Sequence, residues 1–260
     1  MMIYAMSKKG YGKEICQDSM LVGNSILSEG YMEWSPDEKF VVAIADGVGG
    51  ANAGEEASFQ ALKGIRDAAF FQGCTENYIT ESIGKVNENI VAASRANPAW
   101  ERMATTLTGI YLDSNKGLLF HVGNTRLFCL NGQYLCQLTE DHTNVNFWVS
   151  MGMMTRQEAE NHPRRNEINA CIGGGDTAMA AKLEVKNITE QIQAGKPLLL
   201  TTDGIHDYLS LDEMEAILGQ EESIKERLSG LIDQALANGS KDDISVIYIR
   251  RDCTQAAAAL

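Results

Sequence analysis

Three stretches of the chain join an apolar run to aspartate, and this pattern constrains the fold more than any other feature. Two stretches, residues 40–47 and 197–204, run apolar residues straight into Asp-Gly, and a third, 241–249, places the acids first. Apolar runs of this length are typical of buried strands. If the three strands lie side by side in suitable directions, their aspartates meet at one rim of a sheet. These aspartates are Asp46, Asp203 and Asp242.

Three carboxylates in one place repel one another, and their charged forms are disfavoured unless a positive charge lies among them. A hard divalent cation with oxygen ligands, Mg²⁺ or Mn²⁺, would neutralise them. The alternative interpretation is a set of ordinary turns, because Gly adopts positive φ and Asp bonds its own backbone. One strand–Asp–Gly segment is usually a turn, whereas two copies with an acid pair opening a third strand leave both interpretations open.

Length and charge exclude several classes of protein. The chain has 260 residues with 44% hydrophobic content, enough for a sizeable core. Its net charge is −13, from 35 acidic and 22 basic residues. This balance argues against a nucleic-acid-binding surface and against an anionic membrane surface, since both need basic residues. No apolar run approaches the roughly 18 residues of a membrane span. We expect a monomer.

The six cysteines form no Cys-x-x-Cys pair and have no zinc-like spacing to histidine. They are interpreted as reduced thiols of a cytoplasmic protein. Cys129 and Cys136 flank a predicted Asn131-Gly132 hairpin, so a disulfide between them is an alternative. Residues 1–10 lack the apolar core of a signal peptide.

Periodicity predicts an α+β protein rather than a strict alternation of strand and helix. Three strands are predicted first, then two amphipathic helices, then a meander of strands, then further helices and strands. The predicted helices are 53–71, 75–94, one starting at Thr155, 210–218 and 223–237. The predicted strands are 2–6, 19–22, 40–45, 105–112, 117–122, 126–130, 133–138, 181–185, 198–202 and 244–250.

A set of short motifs occurs in a fixed order, and the set is much more specific than any one member. The motifs are Gln-Asp at 17–18, Asp-Gly-Val-Gly-Gly at 46–50, Met-Ala-Thr-Thr at 103–106, Val-Gly-Asn-Thr-Arg at 122–126, Leu-Thr-Glu-Asp-His-Thr at 138–143, His-Pro-Arg-Arg-Asn at 162–166, Thr-Asp-Gly at 202–204 and Asp-Asp-Ile-Ser at 242–245. The chain thereby resembles the metal-dependent serine/threonine protein phosphatases of type 2C, the PPM family, in its bacterial branch. The resemblance covers roughly residues 7–250.

The resemblance implies a fold and a domain organisation. The fold is a central antiparallel β-sandwich with helices on both outer faces, an α-β-β-α arrangement. We expect a single domain over residues 1–253, with a flap subdomain at about 144–165. Residues 254–260 are expected to be a tail or a vector remnant.

The resemblance also implies a metal centre at one end of the sandwich. Asp46 would bridge two divalent cations, Mn²⁺ or Mg²⁺, and the Gly47 carbonyl would bind one of them. Asp203 and Asp242 complete the core, and Asp18 reaches it through a water. Asp46, Asp203 and Asp242 are thus the predicted catalytic residues. A metal-held water or hydroxide is the nucleophile, so no Ser, Cys or His nucleophile is required.

Three positions differ from the family pattern. Asn124 replaces an Asp that helps to bind a third metal, so the third site is in doubt. The alternative is that Asn124 simply turns a hairpin. Lys13 occupies the position of an Arg that contacts substrate phosphate, and it keeps the charge without the bidentate fork. A solvated surface Lys is the alternative there. Cys16 replaces an Asn, which is expected to change packing more than chemistry.

The resemblance implies hydrolysis of phosphoserine and phosphothreonine on proteins, the substrates of a serine/threonine kinase. A phosphatase fold that binds phosphoprotein with weak or no turnover is the alternative, because Lys13 and Asn124 are altered. Hydrolysis of a small phosphorylated metabolite is a third hypothesis, which the resemblance to protein phosphatases disfavours.

Overall fold

The apolar runs form two six-stranded antiparallel sheets in the computed structural model, which describes residues 1–36, 38–48, 53–68, 74–114, 116–175 and 182–251. The strands are β1 (Met2–Lys8), β2 (Asp18–Val22), β3 (Ser25–Leu27), β4 (Gly30–Trp34), β5 (Phe40–Asp46), β6 (Ala104–Thr105), β7 (Leu107–Leu112), β8 (Gly117–Val122), β9 (Arg126–Asn131), β10 (Tyr134–Gln137), β11 (Ile172–Gly173), β12 (Glu184–Asn187), β13 (Leu198–Thr201) and β14 (Ile244–Arg250). One sheet has the order β10-β9-β13-β14-β1-β4, and the other has the order β12-β8-β7-β5-β2-β3. A short pair, β11-β6, lies apart from both.

Helices lie along the chain as the periodicity predicts, with short additions. They are α1 (Gly54–Asp67), α2 (Glu76–Ala96), α3 (Asn144–Ser150), α4 (Arg156–Glu160), α5 (Thr189–Gln193), α6 (Asp203–His206), α7 (Leu211–Leu218) and α8 (Ile224–Ala237), with a 3₁₀ turn at Pro98–Trp100. Both predicted capping boxes form, at Thr155 before α4 and at Ser210 before α7. Each such cap stabilises its helix by about 1 kcal/mol.

Three layers of apolar side chains hold the architecture together. Along β14, Ile247 and Ile249 enter the core between the two sheets, while Val246 and Tyr248 pack outward against α7 and α8. Successive side chains of β14 therefore point to opposite faces of the sheet, and both faces are buried. On the far side, α1 and α2 cover the outer face of the other sheet. The α+β class and the predicted helix–sheet–sheet–helix layering are therefore confirmed.

Some predicted boundaries differ from the structure. The first long helix ends at Asp67 within the described chain, and residues 69–71 of the prediction lie outside the described residues. The strand predicted at 181–185 runs over Glu184–Asn187, and Ala181 also lies outside the described part. The predicted tail, 254–260, lies there as well.

The cysteines of the described chain are unpaired. Cys129 and Cys136 face each other across β9 and β10, as the hairpin predicts, and both are free thiols. Every cysteine within the described ranges is free, which agrees with the reduced interpretation. Among the helices of the described chain, none combines the length and hydropathy needed to cross a membrane.

Candidate metal centre and phosphate site

Asp46 ends β5 beside Asp18, the first residue of β2, and the two are direct partners in the sheet. Hydrogen bonds from the Met-Ala-Thr-Thr motif fix this strand end. The Asp46 N–H donates to Thr106 Oγ1 at 3.0 Å, and the Asp46 carbonyl accepts from the Thr106 N–H at 2.8 Å and from Thr105 Oγ1 at 2.9 Å. The backbone of Asp46 is thus held independently of its carboxyl group, which faces its neighbouring acids.

Gly47 follows Asp46 in a position where only glycine fits. Its N–H donates to the carbonyl of Gln17 at 3.1 Å. A Cβ at Gly47 would lie 2.5 Å from the backbone carbonyl of Gly54 and 2.8 Å from the carbonyl oxygen of Gln17. Any side chain would push these backbone segments apart, so close packing requires glycine after Asp46.

Asp203 enters the same site from the other sheet, as the first residue of α6 directly after β13. The preceding residue, Thr202, connects the two sheets. Its Oγ1 donates to Asp18 Oδ2 at 3.0 Å and accepts from the N–H of Ser245 at 3.0 Å. Asn124 Nδ2 donates to Asp203 Oδ2 at 3.0 Å. Asp203 therefore lies between a neutral amide and the acids of the opposite sheet.

The three strands do not lie side by side in one sheet, so the condition under which Asp46, Asp203 and Asp242 would meet at one sheet rim is not met. Asp203 and Asp242 flank β13 and β14, which are neighbours in one sheet, but Asp46 ends β5 in the other. The carboxyl groups converge at one end of the sandwich, where the two sheets face each other. An apolar run ending in Asp indicates a buried strand end, but it carries no information about which sheet the strand joins.

Burial and mutual repulsion perturb the acids of this cluster. Burial raises the pKa of Asp18 to about 7, and the charges of Asp243 and Asp203 act in the same direction. Burial also raises the pKa of Asp203 to about 7, with Asp242 as the next cause. Burial, followed by the charges of Asp18, Asp203 and Asp242, raises the pKa of Asp46 well above its ordinary value. Burial and mutual repulsion thus disfavour the charged forms of these carboxyls, and a cation among them would favour the charged forms.

The chemistry of the donor set fits a hard divalent cation. Asp18 is 0% exposed, and its Oδ1 finds no hydrogen-bond donor among the described residues. An unpartnered buried carboxylate oxygen is costly, and cation binding would remove that cost. The neighbouring carboxylates of Asp46 and Asp203 offer oxygen atoms as ligands, the ligand type that Mg²⁺ and Mn²⁺ prefer.

Asp242 lies close enough to raise the pKa of both Asp46 and Asp203, but its carboxylate is paired elsewhere. Lys13 Nζ donates to Asp242 Oδ1 and also lies 2.9 Å from Asp243 Oδ2. Across the described residues, no three His, Cys, Asp or Glu side chains are grouped so that they could hold a metal ion as they stand. The structure thus brings Asp18, Asp46 and Asp203 together and places Asp242 beside them with Lys13.

A cleft of about 830 Å³ opens next to Asn124 and runs under the predicted flap. The flap contains α3 and α4, and a bridge between Thr143 and Ile168 closes its base. Flap residues Val145, Val149, Arg156, Ala159 and Arg165 line one wall of the cleft. Residues 144–165 thus contain two short helices beside the cleft, and the second helix begins after Thr155 as the sequence predicts.

Arg126 and Asp141 connect two of the sequence motifs across the cleft wall. The guanidinium of Arg126 bonds both carboxylate oxygens of Asp141, at 2.7 to 3.0 Å. Sequence reasoning assigned no role to these two residues, nor to Thr202 and Asp243. The signal available for Thr202 and Asp243 was their position next to Asp203 and Asp242.

The chain is similar to a known protein family and to named relatives. A family model described as protein phosphatase 2C matches residues 11–239. The serine/threonine phosphatase stp of Listeria monocytogenes serotype 4b (strain F2365) is 31% identical over 227 residues, which cover 84% of this chain and 87% of the relative. The chain therefore belongs to the protein phosphatase 2C family, as its motifs predict.

Solved structures agree with this assignment. The crystal structure of the Mycobacterium tuberculosis serine/threonine phosphatase PstP/Ppp matches with a TM-score of 0.77 at 28% identity, covering 95% of this chain and 98% of that one. The catalytic domain of the serine threonine protein phosphatase PstP, in complex with 2 manganese ions, matches with a TM-score of 0.71 at 26% identity, with the same coverage of both chains. The manganese ions belong to that structure.

Proposed function

We propose that this protein hydrolyses phosphoserine and phosphothreonine on proteins in a reaction that depends on Mn²⁺ or Mg²⁺. The observation that carries the proposal is the buried cluster of Asp18, Asp46 and Asp203, with its unpartnered oxygen and raised pKa values. Membership of the protein phosphatase 2C family supports the reaction class. The manganese ions of a solved relative support the choice of metal.

In this proposal, residues of the chain bind and orient the cations. Asp46, the Gly47 carbonyl, Asp203 and Asp242 would hold two divalent cations, with Asp18 contributing through a water. When bound, the cations supply Lewis acidity and positive charge for the attack of water on phosphorus. The protein fixes these oxygens on two rigid sheets, so that little reorganisation is needed during reaction.

Lys13 would contact the substrate phosphate, and the cleft beneath the flap would receive part of the phosphoprotein chain. The Lys13 side chain is 30% exposed at the rim of the cluster, so solvent and substrate can reach it. Phosphoproteins made by a serine/threonine kinase are the proposed substrates. The proposed unit is a single domain over residues 1–253 that acts as a monomer in the cytoplasm.

Assays on a phosphothreonine peptide and on p-nitrophenyl phosphate test the proposal. Protein stripped with a chelator should release phosphate from both substrates only after Mn²⁺ or Mg²⁺ is added. Asp46→Asn should lose this activity, whereas Asp233→Asn, a surface variant that removes the ion pair with Lys8 and changes the acceptor of the Ser229 hydroxyl, should keep it. No phosphate release by the unmodified protein at saturating cation would contradict the proposal.

A binding module without turnover is the second candidate, and two contacts favour it. Lys13 is already paired with two carboxylates, and Asn124 bonds Asp203 where the family pattern has an acid. The same assay separates the two functions if a labelled phosphopeptide is followed in parallel. Peptide binding with no phosphate release would favour the binding module.

A further inference from the structure

Asp243 makes an unusual set of contacts for a residue next to a predicted metal ligand. Its side chain is only 2% exposed, and it accepts three hydrogen bonds. Oδ1 accepts from the N–H of Gly10 at 2.8 Å. Oδ2 accepts from the N–H of Gln17 at 2.8 Å and from Lys13 Nζ at 2.9 Å. Three of the roughly four acceptor directions of the carboxylate are therefore occupied, all by donors from one loop.

The three donors belong to the loop that joins β1 to β2, more than 220 residues away in sequence. Gly10 and Gln17 lie at opposite ends of that loop, and Lys13 lies between them. The loop also packs tightly on the backbone before β14, since a Cβ at Gly10 would lie 2.3 Å from the Lys241 carbonyl oxygen. The buried Asp243 carboxylate therefore holds both ends of the loop and the ammonium of Lys13.

Lys13 has two acidic partners, and they differ in kind. Asp242 is a proposed cation ligand, so its bond to Lys13 competes with metal binding. Asp243 is directed to the loop and has no place among the proposed ligands. The contact between Lys13 and Asp243 can therefore persist when the acidic cluster holds cations. Charge-assisted hydrogen bonds of this kind are roughly twice as strong as neutral ones.

We propose that Asp243 is a positioning residue that holds the loop of residues 9–17 and places the Lys13 ammonium where it binds the phosphate group of the substrate. This inference rests on the proposed phosphatase function and adds to it a residue that acts through Lys13. Asn cannot reproduce the role, because its amide has one oxygen. In Asp243→Asn the NH₂ group would face either Lys13 Nζ and the Gln17 N–H or the Gly10 N–H, and these groups are themselves hydrogen-bond donors.

The test is a double-variant cycle of Lys13→Ala and Asp243→Asn, with inorganic phosphate as the probe. Calorimetry on Mn²⁺-loaded protein gives the phosphate dissociation constant, and steady-state kinetics on a phosphothreonine peptide give KM and kcat. Each single variant should weaken phosphate binding and raise KM about fivefold to tenfold, with kcat changed less. The double variant should be no weaker than Lys13→Ala alone. A further fivefold loss when Asp243→Asn is added to Lys13→Ala would overturn the proposal.

Amide hydrogen exchange tests the loop contacts without relying on the Asp243→Asn variant. The Gly10 and Gln17 amides of the unmodified protein should exchange slowly and remain slow in Lys13→Ala, because Asp243 still accepts from both. Exchange of these amides at unprotected rates in the unmodified protein would overturn the proposal even if Asp243→Asn fails to fold. Asp67→Asn is the matched control, since Asp67 also bonds two cationic side chains but on the surface of α1. It should leave phosphate binding and both amides unchanged.

The two proposals fail in different ways. Phosphate binding with the expected coupling but no peptide hydrolysis would contradict the phosphatase function and retain the role of Asp243. Hydrolysis with independent effects of the two variants would retain the phosphatase and contradict the role of Asp243.

Discussion

The side-chain amide of Asn124 donates a hydrogen bond to the carboxylate of Asp203, with Nδ2 and Oδ2 3.0 Å apart. Asn124 is buried in the loop after β8, and its amide lowers the pKa of Asp203 against the larger opposing effects of burial and Asp242. The amide nitrogen thus faces Asp203 where the family pattern would place a second carboxylate. A donor in this position stabilises Asp203 directly but offers no negative charge to a further cation.

We expect the unmodified protein to bind two divalent cations firmly and a third only at high metal concentration. Asn124→Asp should add one cation site, because affinity for hard cations grows with the number and charge of the oxygen ligands. Calorimetric titration with Mn²⁺ measures the stoichiometry. The same variant should lower the melting temperature in chelator, since two carboxylates then face each other, and regain it with Mn²⁺.

Asn131→Asp is a suitable control for this experiment. Asn131 ends β9 at an exposed hairpin, so the new charge there should leave the number of bound cations unchanged. Three tight sites in the unmodified protein, or unchanged stoichiometry in Asn124→Asp, would contradict the expectation.

Removal of one acid from the cluster should remove metal as well as activity. Asp46→Asn and Asp203→Asn are each expected to lose at least one bound cation, because each takes a charge from the site. Loss of several kcal/mol of transition-state stabilisation corresponds to a decrease in turnover of about a hundredfold or more. Metal analysis after gel filtration and phosphopeptide turnover measure the two effects. Full stoichiometry with normal turnover in both variants would remove these residues from the assignment.

Stability in the absence of metal should depend on pH through the same acids. An unfolded Asp has a pKa of about 3.9, whereas burial raises the pKa of folded Asp18 to about 7. Between these values the folded protein keeps a proton that the unfolded chain has lost. The Asp18 contribution to the free energy of unfolding is therefore complete below pH 4 or so and is lost as the pH rises toward about 7.

Denaturant unfolding in chelator at several pH values measures this effect. The free energy of unfolding of the unmodified protein should fall, relative to Asp18→Asn, as the pH rises through this window. Saturating Mn²⁺ should reduce the fall, because a cation stabilises the ionised carboxyls. Parallel curves for the two proteins in chelator would show that Asp18 does not titrate in this way.

Local signals explain the parts of the fold that could be predicted. The strands β5 and β14 are continuous apolar runs, and the helices α4 and α7 begin at capping boxes that can be seen in the sequence. The edge strand β4 was missed because its burial is mixed and its sequence has no clean alternation. A strand of this kind is defined by its partner β1 rather than by its own residues.

The candidate site could be predicted only as far as its motifs reach. Asp46 and Asp203 follow recognisable strands, whereas the bond from Thr202 to Asp18 joins residues 184 positions apart. The contacts of Asp243 with Gly10 and Gln17 span similar separations. No periodicity encodes such contacts, because they arise only after two sheets have packed face to face.

The flap should influence protein substrates more than small ones. Asn166, the residue directly after the flap, donates a hydrogen bond from Nδ2 to Asp207 Oδ2, and Asp207 is the C-cap residue of the helix that begins at Asp203. Asn166→Ala should raise KM for a phosphothreonine peptide about fivefold, since an ordinary hydrogen bond contributes about 1 kcal/mol net, which corresponds to a change of that size. Turnover of p-nitrophenyl phosphate should change less than twofold, because that substrate is too small to reach the flap. Asn161→Ala is the control, since the Asn161 side chain donates to the carbonyl of Gln157 within the flap. Equal effects of Asn166→Ala on both substrates would show that the contact supports the metal centre rather than the peptide cleft.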